Sequence, residues 1–162
     1  DHRDLHSFPT RRSSDLTSRF ADTFVQSDSL ESIRGITQEE KSGDLYVTAY
    51  HALYRITYTQ RTVSLISGSP RSPSYRDSTL LDSLFSGPLE LILITPDTLL
   101  IADTYNYILR LLDMNSDKVA TLKVTNSPSR PRSLLLTNNS LYVGWSGTVV
   151  QYKCEYNITI IQ

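Results

Sequence analysis

Three short apolar segments of one kind, Leu45-Tyr46-Val47, Leu99-Leu100-Ile101 and Leu141-Tyr142-Val143, recur at offsets of 54 and 42 residues. Each sits at the same place in a pass of short apolar runs separated by turn residues. The first pass predicts strands over Ser32–Thr37, Asp44–Ala49, Leu53–Tyr58 and Thr62–Ile66. The second predicts them over Leu89–Thr95, Thr98–Ala102, Tyr107–Leu112 and Lys118–Val124. The third predicts Arg132–Leu136, Ser140–Val143, Thr148–Tyr152 and Asn157–Ile161. β-Branched and aromatic residues fill these runs, which favours strand over helix. Leu80–Phe85 is the one stretch with some helical character, and Gly87-Pro88 stops it.

A period of 40–45 residues with four strands per unit describes a β-propeller. The first interval is longer because a loop, Ser67–Gly87, is inserted between passes one and two. The expected fold is therefore all-β: about three four-stranded antiparallel blades, near 31–68, 69–125 and 126–162. Residues 17–30 are polar, show no sustained period and read as an irregular lead-in. Hydrophobic residues make up 39 %, enough for a packed core. No apolar run reaches the ~18 residues a membrane helix needs. The net charge of -1 offers no basic footprint for nucleic acid. One cysteine, Cys154, excludes a disulfide framework within these residues and any multi-cysteine metal site.

Residues 1–16 (DHRDLHSFPTRRSSDL) are set apart. They lack an apolar h-region, and Asp1, Asp4 and Asp15 argue against a transit peptide. The string resembles a translated short-read sequencing adapter, with all sixteen positions matching in one frame. It is read as a non-native tail, with the native N-terminus expected upstream of Thr17. Setting the tail aside removes three Arg and three Asp, so the charge balance does not change. His51 is then the only histidine.

The second pass carries a family resemblance. Leu99-Leu100-Ile101-Ala102-Asp103-Thr104-Tyr105-Asn106-Tyr107-Ile108-Leu109-Arg110 is similar to the core of the NHL repeat, with Asp103, Asn106 and Arg110 at that family's spacing. Tyr107 stands where His is common. Val63–Gly68 resembles the outermost strand of such a blade. Tyr75-Arg76-Asp77, followed by Leu84–Pro88, resembles the long loop that leads into the next one. In pass one Arg55 aligns with Arg110, His51 replaces Asn106, and no Asp matches Asp103. In pass three Gln151 takes the Arg place and Gly147 the Asn place. The resemblance implies closure with about six blades, of which three are visible.

Asp103 and Asn106 are expected to hold the turn between the second and third strands of a blade through local Asx bonds. Arg55 and Arg110 are expected on blade faces, with packed stems and hydrated heads. These four form the structural repeat motif. His51 alone cannot make a zinc site, which takes at least three protein ligands. Asp77 and Asp82 are too sparse for a calcium loop and read as solvated loop residues. Glu90 is the one carboxylate on the inner strands of passes two and three. Trp145, Tyr142 and Tyr152 are read as packing residues rather than an exposed patch. Asn138 and Asn157 begin N-x-[ST] sequons, which lean towards an extracellular or ectodomain setting. There is no G-x-S-x-G and no glycine-rich phosphate loop.

The expected function is a non-catalytic binding or scaffolding module, taking a protein or small ligand on the propeller face. No catalytic residue, cofactor or metal is expected. The resemblance also implies the other class, a metal-dependent propeller enzyme of lactonase or peptide-amidating-lyase type. Clustering of Glu90, Asp103 and His51 would favour that class.

Overall fold

The computed structural model describes residues 22–125 and 127–153. The adapter-like tail, Cys154, Asn157 and the strand expected at 157–161 lie outside the described residues. Eleven strands are present among the described residues, with no α-helix. The first sheet holds β1 (Ile33–Gln38), β2 (Leu45–Ala49), β3 (Ala52–Ile56) and β4 (Val63–Gly68). The second holds β5 (Glu90–Thr95), β6 (Thr98–Asp103), β7 (Ile108–Asp113) and β8 (Lys118–Leu122). The third holds β9 (Pro131–Leu136), β10 (Ser140–Trp145) and β11 (Thr148–Lys153). Every pairing is antiparallel between sequence neighbours. This is a partial propeller, with β1, β5 and β9 side by side as the inner strands. No described helix is long and apolar enough to cross a membrane.

The middle blade explains its own sequence. Leu99 and Ile101 point into one core with Tyr46, Leu53, Leu91 and Leu112 of the first two blades. Leu100 and Ala102 point into another with Leu141, Val143 and Trp145 of the third. With both faces covered, the alternation of apolar and polar residues disappears, and runs such as Glu90–Thr95 read as nearly all apolar. Val47, Ala49 and Tyr54 on the other face of blade one pack against Phe24, Val25 and Leu30 of the lead-in.

Leu80–Phe85 is not a helix. It belongs to an extended loop, 69–89, that folds along the outer edge of blade two. Arg76 and Leu84 form an isolated bridge. The edge of β8 is covered from this loop: Val119 N donates to Ser78 O at 2.8 Å and Thr121 N to Asp77 Oδ2 at 2.9 Å. Bonds that an open sheet edge would leave unmade are thereby satisfied. Phe85 from the same loop is fully buried between blades one and two.

Blades are joined at matching repeat positions. Gly35, Leu89 and Pro131 are separated by the same offsets, 54 and 42, as the repeated tripeptides. Thr48 Oγ1 accepts from Gly35 N at 2.9 Å and donates to Leu89 O at 3.4 Å. Thr104 Oγ1 donates to Pro131 O at 2.7 Å. A hydroxyl on or just after the second strand of blades one and two thus bonds to the chain at the start of the next inner strand. Gly35 is needed for this approach, since a Cβ there would meet Leu89 O at 2.6 Å and Glu90 Cα at 3.0 Å. Both are backbone atoms that cannot swing aside. Gly35→Ala should therefore cost about 1–3 kcal/mol by overpacking, read as a lower urea midpoint at unchanged m-value.

Candidate functional site

The β6–β7 connection carries most of the polar chemistry. It is a single 3-10 turn, Thr104–Asn106, closed by Tyr107 in the left-handed region at φ 63°. Asp103 makes no local cap bond there. It is fully buried. It accepts from Ser86 N at 2.8 Å, Asn106 Nδ2 at 2.8 Å and Arg110 Nη1 at 3.0 Å. Asn106 also donates to Ser74 O at 2.9 Å. The turn keeps one local bond between these two side chains, Asn106 to Asp103, while the backbone partners are not the nearby groups expected but Ser86 and Ser74 of the 69–89 loop, more than fifteen residues away in sequence. Burial pushes the Asp103 carboxyl above the ordinary range, against the lowering by Asn106, Ser86 and Arg110.

Arg110 corrects a second expectation. Its head is not hydrated; the residue has 0 % exposure. Beyond Asp103, it donates to Leu84 O at 3.0 Å and Arg76 O at 2.7 Å, and pairs with Asp77 at 2.6 Å. The guanidinium carbon lies 4.7 Å from the Phe85 ring centre and 5.2 Å from that of Tyr75. Asp77, read as a solvated loop residue, is instead held by Arg110 and by Thr121 N. Asp82 accepts only from Thr79 Oγ1 in its own loop.

Arg55 is not the counterpart of Arg110. Ile101 pairs with Arg110, whereas its repeat equivalent Val47 pairs with Tyr54. The β6–β7 turn spans four residues and the β2–β3 turn two, which makes Tyr54 the register equivalent of Arg110, one position from Arg55. One position in a strand is a change of face. Arg55 accordingly lies with its side chain 45 % exposed, bonded to Asp44 Oδ2 through Nε at 2.8 Å. Gln151 shares the register of Arg55, opposite Tyr142 as Arg55 is opposite Tyr46. It donates to Ser140 Oγ at 2.9 Å, the repeat equivalent of the Asp44 contact.

His51 occupies the β2–β3 turn. Its Nδ1 accepts from Gly87 N at 2.9 Å. Burial and then the Arg34 charge lower its pKa, so the ring is held neutral. Glu90 is half-buried at the start of β5; burial raises its pKa, and it makes no ion pair among the described residues. Among the described residues no three His, Cys, Asp or Glu side chains meet as metal ligands. Trp145 is buried in the core between blades two and three, with Tyr152 packed against it. Asn138 is exposed in the turn between β9 and β10.

What the sequence reading missed lies above this turn. Tyr105 and Tyr107 are 47 % and 49 % exposed. Arg34 sits over the Tyr105 ring at 5.9 Å, and Arg130 over the same ring at 5.1 Å. Arg130 also lies 5.0 Å from the Tyr107 ring and donates to its hydroxyl at 2.8 Å. Gly87 at φ 53° makes room below: a Cβ there would overlap the Tyr105 ring and meet Arg34 Nη1 at 2.9 Å. Arg132, two residues along, donates to Ser146 Oγ at 3.1 Å. None of Arg34, Arg130 and Arg132 forms a salt bridge among the described residues. The sequence signal is weak: Tyr105 falls in the predicted turn between two strands and Tyr107 at the start of the second, Arg130 just before another, and Arg34 inside a further one. Only the side-by-side packing of three successive blades brings them together.

No family model matches the chain, and no curated protein sequence does. Solved structures do. A protein of unknown function from Bacteroides thetaiotaomicron aligns with a TM-score of 0.62 at 18% identity, over 73% of this chain and 34% of that one. An auxiliary nutrient binding protein from Bacteroides ovatus aligns with a TM-score of 0.62 at 15% identity, over 76% and 38%. A streptogramin B lyase aligns with a TM-score of 0.55 at 12% identity, over 81% and 43%. These matches show a propeller-like fold. The chain spans well under half the length of each of these structures.

Arg110→Met would leave the Asp103 carboxylate buried without its cation, an expected cost of about 3–5 kcal/mol. Arg110→Met with Asp103→Leu should recover part of it in chemical denaturation. Asp44 behaves differently. Tyr58 N and Arg55 hold its pKa below the ordinary value. Its contribution is therefore complete above the unfolded value of ~3.9 and is lost as pH falls through the lowered folded value. The stability gap between the wild type and Asp44→Asn should be flat at neutral pH and close below about pH 4.

Proposed function

We propose that this chain is part of an NHL-type propeller that acts as a non-catalytic binding module, with its ligand on the face formed by Tyr105 and Tyr107. The observation that carries this reading is the division of polar groups. The carboxylates of Asp103, Asp77 and Asp44 and the ring of His51 are engaged in bonds that hold loops and turns. The two tyrosines are half-exposed, with arginines ordered against them. Half-exposed tyrosines beside arginines have the composition of a recognition surface. The propeller-like neighbours, one a nutrient-binding protein and one a lyase, support a ligand-binding role in general. An extracellular setting is part of the same proposal, supported by the exposure of Asn138 in its sequon.

Tyr107 provides a test. Its left-handed backbone is costly for a bulky residue and suits Asn. If the ring is kept for binding, Tyr107→Asn should leave the thermal midpoint unchanged or raise it. A loss of stability above about 1 kcal/mol would assign the ring a structural role and remove the support for this face.

A further inference from the structure

We propose that the face built by Arg34, Tyr105, Tyr107 and Arg130 recognises an acidic peptide segment of a partner protein. This deepens the binding reading above and rests on it. Two guanidinium groups lie over one ring, Tyr105, from β1 and from the segment before β9. Like charges gathered on one aromatic ring repel, and a carboxylate between them removes that repulsion. The structure supplies none: no described carboxylate pairs with Arg34, Arg130 or Arg132. Asp103 is committed to Arg110, Glu31 accepts from the Tyr50 hydroxyl, and half-buried Glu90 pairs with none of these arginines.

The arginines are also fixed in place. Arg130 is held by the Tyr107 hydroxyl, and Arg132 by Ser146. Gly87 leaves the room in which Arg34 and Tyr105 meet. Fixing the side chains beforehand lowers the entropy lost on binding. The charge complement is an oxyanion, and the guanidinium fork matches a carboxylate at two points. An extended peptide is favoured over a compact anion because the cations come from two segments, Arg34 from β1 and Arg130 with Arg132 from the start of β9, on exposed or half-exposed positions. Carboxylates on alternate residues of a strand point to one side about 7 Å apart, so a single peptide can reach more than one arginine. A polynucleotide is disfavoured by the overall charge of -1, which gives no long-range attraction.

The test uses the full 162-residue chain with hexaglutamate, hexaglutamine, inorganic phosphate and hexauridylate as separate probes. Amide shifts are followed by NMR. Hexaglutamate is expected to move the signals of Gly87, Tyr105 and Tyr107, with weakening as salt rises. Arg34→Gln with Arg130→Gln should weaken it by about tenfold or more, at unchanged dispersion of the other signals. Each single variant should weaken it by a smaller factor, so the result stands even if the double variant unfolds. Tighter binding of phosphate or hexauridylate than of hexaglutamate would overturn the peptide assignment. Equal shifts with hexaglutamine would overturn the charge assignment and leave the binding face in place. Silence of this face towards all four probes would overturn both.

Discussion

The buried Arg110 guanidinium is the point on which the second blade depends. It lies on the third strand of that blade, yet most of its bonds go to the 69–89 loop: Leu84 O, Arg76 O and Asp77. An unpaired cation in that position would be prohibitively costly to desolvate. The loop supplies its acceptors and in return is fixed against the edge of β8. Phe85 is carried with it into the core between blades one and two. A paired internal charge of this kind adds little net stability over an apolar substitute. What it does is tie the loop to the blade, because the path seen here satisfies Asp103, Arg110 and Asn106 together.

The repeat in the sequence located the strands well, since each run of apolar residues must cover a blade face. Leu45, Leu99 and Leu141 fall in the second strand of their blades, as their spacing indicates. The same repeat misled where strand meets turn. Motif alignment placed Arg55 with Arg110, because matching letters at similar spacing carry no record of turn length. Arg110 stands eleven residues after Leu99 and Arg55 ten after Leu45, and that odd difference puts them on opposite faces whatever the even difference in turn length. Burial then follows register: one arginine is sealed inside, the other half in water. The Asp103–Asn106–Arg110 pattern was legible as a motif. Its partners were not, because Ser74, Ser86 and Leu84 are recognised only through their backbone atoms, which any residue type could provide.

Junctions between blades show the converse case. Gly35, Leu89 and Pro131 share no side-chain chemistry, yet occupy one repeat position. What the fold requires there is a carbonyl for a threonine hydroxyl, or a bare backbone where two inner strands approach. A composition-based reading sees three unrelated residues. The offsets of 54 and 42 show the equivalence, and the hydrogen bonds of Thr48 and Thr104 give it a cause.

The same logic separates structure from recognition along one turn. Between Asp103 and Arg110 the chain passes from buried to half-exposed and back within eight residues. Side chains pointing inward are bonded within the fold: Asp103 has three donors, and Asn106 and Thr104 have backbone acceptors. Side chains pointing outward, Tyr105 and Tyr107, have arginines over their rings. Arg110 and Arg130 thus represent two uses of one residue type. The inner one has its carboxylates and is neutralised within the fold. The outer one rests against the tyrosine rings, which hold a guanidinium in place without cancelling its charge. Such a group keeps its electrostatic demand for a partner from solution, and the two carboxylates of the inner network, Asp103 and Asp77, are committed to Arg110 instead.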